Sequence, residues 1–141
     1  MGSLTIFMHR LTVLALAASL LAPLAGCGEA SSSSGSGPRL RFREAGTSDL
    51  VRLEVTNASG QAQADTLLHS GAVRWAAGTP LRGDGGFNAP WHWHLDPTTV
   101  SFPEVTIEAC QTVAAGVEEG LDYWIRFGHV CILGTVEARE P

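Results

Sequence analysis

Three side chains capable of metal or acid–base chemistry occupy alternate positions of one short run: His92, His94 and Asp96 within Trp91-His92-Trp93-His94-Leu95-Asp96. On a strand, alternate residues share a face, so two imidazoles and a carboxylate would stand opposite Trp91, Trp93 and Leu95. Imidazoles at that spacing can ligate Zn²⁺, with His129 or Asp84 completing a tetrahedron. The competing reading buries Trp91 and Trp93 and lets Asp96-Pro97 open a turn, the carboxylate accepting backbone N–H groups two residues on. Ser101 with His94 and Asp96 has the composition of a hydrolytic triad. No Gly-x-Ser-x-Gly elbow presents the serine, however, and two members one residue apart on a strand lack the dispersed scaffold of such a site. Glu104 and Glu108 could be paired carboxylates, but nothing suggests a sugar cleft and solvated charges explain them. Gly83 to Gly86 lacks the Lys-Ser/Thr element of a phosphate loop. No catalytic set emerges, and no cofactor is implied.

The elements that would position these residues read as an antiparallel sheet with two short helices, an α+β domain. Leu40 to Ala45 and Leu50 to Thr56 form a hairpin across Gly46-Thr47-Ser48-Asp49, because Val51, Leu53 and Val55 alternate with Arg52 and Glu54. Arg39, Arg41 and Arg43 share the other face from Leu40 and Phe42. They could hold an anion, but charges facing Glu54 are the simpler account. Residues 57–70 read as a helix capped by Asn57 or Ser59 and closed by Gly71. Ala72 to Ala76 is a strand, and Gly78-Thr79-Pro80 and Arg82 to Gly86 are loops. Trp91 to Leu95 and Ser101 to Cys110 are strands, the latter with Pro103 at a bulge or edge. Val113, Val117, Leu121 and Trp124 recur at helical spacing opposite Glu118, Glu119 and Asp122, which predicts an amphipathic helix over 113–126 with Gly116 and Gly120 on its apolar side. Val130 to Ala138 is the last strand.

The N-terminal 26 residues are a targeting segment rather than part of the fold. Arg10 precedes the apolar run Leu11–Leu21, whose 11 residues are too few to span a bilayer core. Leu24-Ala25-Gly26-Cys27 follows directly and has the form of a bacterial lipobox, in which the Cys27 thiol takes a diacylglycerol. A start at Met8 would serve as well as Met1. Residues 27–37 are rich in Ser and Gly and read as a flexible tether. The single domain then occupies 38–141. Lipidation of Cys27 leaves Cys110 and Cys131, an even pair in an oxidising compartment, and a disulfide between them would stabilise by about 3 kcal/mol. Two buried free thiols are the alternative, and metal ligation would lack any Cys-x-x-Cys spacing.

Composition narrows the partners. The chain has 9 arginines and no lysine against 14 acids, all 14 of them beyond Cys27. An acidic chain without a basic stripe does not neutralise phosphates, so nucleic acid is not expected as a partner.

The run Asn88-Ala89-Pro90-Trp91-His92-Trp93-His94-Leu95-Asp96-Pro97, followed by Glu108-Ala109-Cys110, Val117-Glu118 and Cys131, is more specific than any periodicity. It resembles the small domain named after the N-terminal part of a calmodulin-binding protein. The resemblance gives Trp91, Trp93, His94, Asp96, Pro97 and Glu108 the place of motif residues. It also aligns Cys110 and Cys131 with the family's two cysteines. The chain departs from the pattern at Gln111, where the family has Asp, and at Ile132-Leu133, where it has Pro-Trp. His92 lies outside the shared pattern. The resemblance implies a fold and no catalytic activity. Calmodulin is not expected as a partner, since its targets are basic amphipathic helices and the best helix here is acidic.

Two function classes follow. One is a membrane-tethered lipoprotein of the bacterial envelope, held on the extracytoplasmic side (at the outer membrane if the cell has one). It would carry a non-catalytic binding or structural module for a protein or small-molecule ligand; a protease inhibitor presenting the loop Gly83 to Asn88 is one variant. The other is a zinc-binding protein or metal-dependent enzyme using His92 and His94.

Overall fold

The computed structural model describes residues 36–141, so the targeting segment 1–26, Cys27 and most of the tether lie outside the described residues. The chain first forms the hairpin β1 (Arg39–Glu44) and β2 (Leu50–Glu54), in antiparallel register from Arg39 opposite Glu54 to Arg43 opposite Leu50. Period-two patterning drives it: Leu40, Phe42, Val51 and Leu53 are buried, while the arginines stay on the wetter face. Helix α1 (Ala58–Ser70) starts where the Asn57 side chain accepts from the Gly60 N–H at 2.7 Å. It stops at Gly71, whose φ of 64° is the left-handed conformation that lets its N–H reach the Leu67 carbonyl. β3 (Arg74–Gly78), β4 (Pro80–Arg82) and β5 (Trp93–Leu95) follow, then a 3₁₀ turn at Glu108–Cys110, β6 (Gln111–Thr112), α2 (Ala114–Glu119), α3 (Leu121–Phe127) and β7 (Val130–Glu140).

The sheet has the order β2-β1-β7-β3, with β6 also on β7, and β4 and β5 make a separate two-stranded sheet. The longest strand, β7, is thus central: its first half pairs with β3 and β6 and its second half with β1. One core joins the sheet to α1 through Ala64 and Leu67, to α2 through Ala114 and Val117, and to β5 through Trp93 and Leu95. Backbones approach so closely at Gly134 that a Cβ there would lie 2.1 Å from the Arg43 carbonyl oxygen. A bulge between Arg41 and Phe42 shifts the β1–β7 register and leaves Glu137 as the extra residue. Its carboxylate pairs with both Arg41 and Arg43, so the arginine face is neutralised within the sheet rather than open to an anion.

The architecture is α+β, as the sequence predicts, with several elements corrected. The sheet is not wholly antiparallel, because β6 runs parallel to β7. The helix expected over 113–126 breaks into α2 and α3 at Gly120, where φ is −110° and ψ is 29°. Glycine tolerates the break, and the Gly116 carbonyl, which accepts the Gly120 N–H at 3.1 Å, also accepts from the Trp124 indole N–H at 3.0 Å. Residues 101–110 are not a strand. Only Ser101 bridges β3, at Ala77, and Pro103 has no N–H to continue the ladder. The chain then swings out, leaving Val105 84% and Ile107 65% exposed, before the 3₁₀ turn brings Cys110 back. Cys110 and Cys131 are joined as a disulfide with Cα atoms 5.2 Å apart, tying this turn to the start of β7. The strand expected at 91–95 holds only from Trp93, and Pro80 to Arg82, expected in or beside loops, supplies its partner.

Trp93 is 0% exposed, whereas Trp91 is half-buried outside the strand, its ring centroid 6.2 Å from that of Trp93. Truncating a buried large aromatic destabilises by about 3–5 kcal/mol. Trp93→Ala should show that loss in urea unfolding, with Trp91→Ala losing less. Equal and small losses would mean that β5 is not anchored in the core.

Candidate functional site

The loop between β4 and β5 is built on one turn and one buried amide. Asp84 Oδ1 accepts from the Gly86 N–H at 2.9 Å, and the Asp84 carbonyl accepts from the Phe87 and Asn88 N–H groups. Asn88 is fully buried, so its carboxamide must be satisfied by protein. Its Oδ1 accepts from the Arg52 backbone N–H at 2.7 Å and its Nδ2 donates to the Trp93 carbonyl at 2.8 Å. The Ala89–Pro90 peptide is cis. Trp91 then donates from its indole to the Leu50 carbonyl at 2.8 Å, a second bond to β2.

These contacts set the wall of a cleft of about 520 Å³, lined by Glu54, Thr56, Gly85, Phe87, His94, Asp96, Pro97 and Thr98. Gly85, at φ 64°, packs so close that a Cβ would meet the His94 ring at 2.9 Å. The Gly83 carbonyl lies 2.7 Å from His94 Nδ1; since a carbonyl only accepts, Nδ1 carries the proton and Nε2 is left as the ring's acceptor. Phe87 meets the His94 ring edge-on at 5.5 Å, with the Arg39 guanidinium 5.6 Å over its face. Glu54 accepts from the Gly37 N–H at 3.0 Å and pairs with Arg39 at 3.6 Å. Asp96 Oδ1 accepts from the Thr98 N–H at 2.9 Å and the Thr98 hydroxyl at 2.7 Å, so the Asp96-Pro97-Thr98-Thr99 segment is the turn read from the sequence. The Thr56 hydroxyl oxygen is buried and has no hydrogen-bond partner among the described residues.

The structure separates the residues of the candidate metal set. His94 and Asp96 line the cleft, whereas His92 turns to α2, where its backbone N–H donates to Glu118 at 2.9 Å and its Nδ1 lies 2.5 Å from the same carboxylate. Asp84 is spent on its turn, and His129 lies beside the disulfide. Among the described residues, His92, His94 and Asp96 are not a group of converging ligand atoms. Ser101 sits on the β3 edge and no hydrogen bond joins it to His94 among the described residues, so no triad assembles. Glu104 pairs with Arg74, and Glu108 is exposed in the 3₁₀ turn. Sequence reasoning missed Glu44, a buried carboxylate accepting from the Ala114 N–H at 2.7 Å and so capping α2. Its parity with Leu40 and Phe42 was the available signal. It also missed Thr56 and Phe87, whose roles arise only where segments distant in sequence meet.

A curled sheet covered by helices, stapled once by a disulfide and threaded by a buried Asn–Trp loop, defines a small disulfide-bonded α+β domain. The chain belongs to the BP-74 N-terminal domain family, whose model matches residues 39–136, and the run 88–110 that carried the resemblance lies inside that match. No curated protein and no solved structure matches the chain.

Two outcomes test this geometry. Asn88→Ala leaves the Arg52 N–H and the Trp93 carbonyl unpaired, and should destabilise by about 1–3 kcal/mol for each. Full stability in chemical denaturation would show that water or a rearranged loop replaces the amide. The second concerns Glu118, whose pKa lies below the ordinary carboxylate value, first through the His92 backbone N–H and then through the His92 ring. A folded pKa below the unfolded one gives stability that is present above the unfolded value and lost as pH falls through the folded one. The stability difference between the parent and Glu118→Gln should therefore be present at neutral pH, begin to fall near the unfolded value of about 4.3 and vanish only below the lowered folded value. A pH-independent difference would assign it to packing.

Proposed function

We propose that the chain is a lipid-anchored, extracytoplasmic binding module of the bacterial envelope. Residues 1–26 act as its signal peptide, Cys27 as the lipidated residue and residues 27–37 as the tether, and the domain binds its ligand in the His94–Asp96 cleft without catalysis. The anchor rests on Leu24-Ala25-Gly26-Cys27 directly after an apolar run. Among the described residues no helix is long and apolar enough to cross a membrane.

The observation that carries the binding role is the cleft of about 520 Å³ itself, which the Thr56 side chain helps to line. Around it stand the carboxylates of Glu54 and Asp96 and the acceptor Nε2 of His94. Acceptors dominate, so the cleft suits a small ligand rich in hydrogen-bond donors, neutral or cationic, and disfavours anions. Phe87 and Pro97 give such a ligand an apolar wall. Metal use through His92 and His94 has less support, since His92 is held by Glu118 on another surface.

Expressed in a host with a lipoprotein pathway, the full chain should enter the detergent phase, and Cys27→Ser should release it or block its processing. Identical partitioning of parent and mutant would refute the anchor. For the cleft, amines and neutral sugars that raise the melting temperature should lose that effect in both Thr56→Val and His94→Ala. Retention in both variants would move the ligand elsewhere.

A further inference from the structure

Among the described residues, one group of three brings ligand atoms within 4.8 Å of one another: the sulfurs of Cys110 and Cys131 and a ring nitrogen of His129. From sequence alone the two cysteines lack metal-binding spacing, being 21 residues apart. The fold removes that objection. The 3₁₀ turn delivers Cys110, and β7 delivers Cys131 two residues after His129. Both cysteines are fully buried, and the histidine is the more exposed member, so it marks the way in. The Thr106 hydroxyl lies 2.7 Å from Cys110 Sγ and 2.9 Å from Cys131 Sγ, where it can donate to a thiolate.

We propose that reduction converts this disulfide into a zinc site of two thiolates and one imidazole, with Thr106 as a hydrogen-bond donor beside it. Two thiols of an external reductant each lose one proton and one electron and leave joined as a disulfide. The Cys110–Cys131 bond takes the two electrons and two protons and becomes two thiols. Zn²⁺ then displaces both thiol protons and binds Cys110, Cys131 and His129, and a water completes the tetrahedron. Two thiolates with an imidazole suit this ion in a four-coordinate site with one open position. The metal closes the same loop as the covalent bond, so one staple replaces the other when the redox state changes. Access follows from the segment Glu104 to Ala109, which is largely exposed and mostly outside the hydrogen-bonded ladder, and so belongs to the part of the fold that opens first.

The test uses the full chain, reduced without oxygen and freed of reductant, titrated with Zn²⁺ and with Co²⁺ as a spectroscopic probe. The reduced protein should bind one equivalent of Co²⁺ with thiolate-to-cobalt absorption, which Zn²⁺ displaces, and Zn²⁺ should raise its melting temperature. His129→Ala should weaken binding at least tenfold and leave the melt of the oxidised protein nearly unchanged. Cys110→Ser should abolish the thiolate absorption pattern of the parent, and the oxidised parent should show none. If reduction unfolds the chain, Zn²⁺ should restore its circular dichroism. The proposal is overturned if the reduced protein neither binds nor refolds with metal, if His129→Ala binds like the parent, or if the oxidised protein binds equally well.

Discussion

The buried carboxamide of Asn88 is the constraint on which the rest of the molecule hangs. A fully buried amide is stable only with its acceptor and donor both engaged. Here the acceptor takes the Arg52 N–H of an edge strand and the donor holds the Trp93 carbonyl at the start of β5. One side chain thereby ties the sheet to the strand that carries the largest core residue. The indole of Trp91, bonded to the Leu50 carbonyl, fixes the same loop at a second point.

The same logic protects both edges of the sheet. An unpaired strand edge invites association with another chain. The loop 88–91 covers the outer edge of β2, using groups that are not themselves in a strand. At the other edge, Ser101 exchanges two hydrogen bonds with Ala77, and the Pro103 carbonyl accepts from the Trp75 N–H at 3.3 Å. Proline then ends the pairing, because it has no N–H to offer a further neighbour. The chain leaves the sheet there and turns back to the disulfide. Edge protection and delivery of Cys110 to Cys131 are thus parts of one path.

The cleft draws its lining from residues outside this path. Its walls come from the end of β2, the glycine-rich loop, β5 and the turn at Asp96, the Thr56 N–H joining the first to the last through the Pro97 carbonyl at 3.0 Å. Gly85 permits the loop to touch His94, and the Gly83 carbonyl fixes the imidazole by accepting a hydrogen bond from its Nδ1–H. The imidazole so fixed stands beside the carboxylates of Glu54 and Asp96 in the cleft lining. Charge elsewhere is settled locally: Glu137, displaced by the bulge, serves both Arg41 and Arg43 and is held below the ordinary carboxylate pKa, first by its hydrogen bond from Arg43.

Much of the fold is legible in the residues because local physics decides it. Alternation in Leu40 to Val55 specifies a half-buried hairpin, and Asn57 and Gly71 mark the ends of α1 through cap chemistry that needs no distant partner. The turn at Asp96 is equally local. Long-range competition decided the rest. Ser101 to Cys110 has strand composition, yet burying Phe102 and reaching Cys131 outweighed extending the ladder past Pro103. His92 and His94 share parity in the sequence, but the chain is not a strand at His92, and Glu118 across a helix claims it. Asn88, Glu44 and Thr56 take their roles from atoms far away along the chain, since hydrogen-bond satisfaction in a core depends on where other segments arrive. The sequence by itself determined the β1–β2 hairpin, the ends of α1 and the turn at Asp96, where neighbouring residues settle the outcome. Only tertiary structure decided which polar groups were buried together, because desolvation acts on whatever packing places side by side.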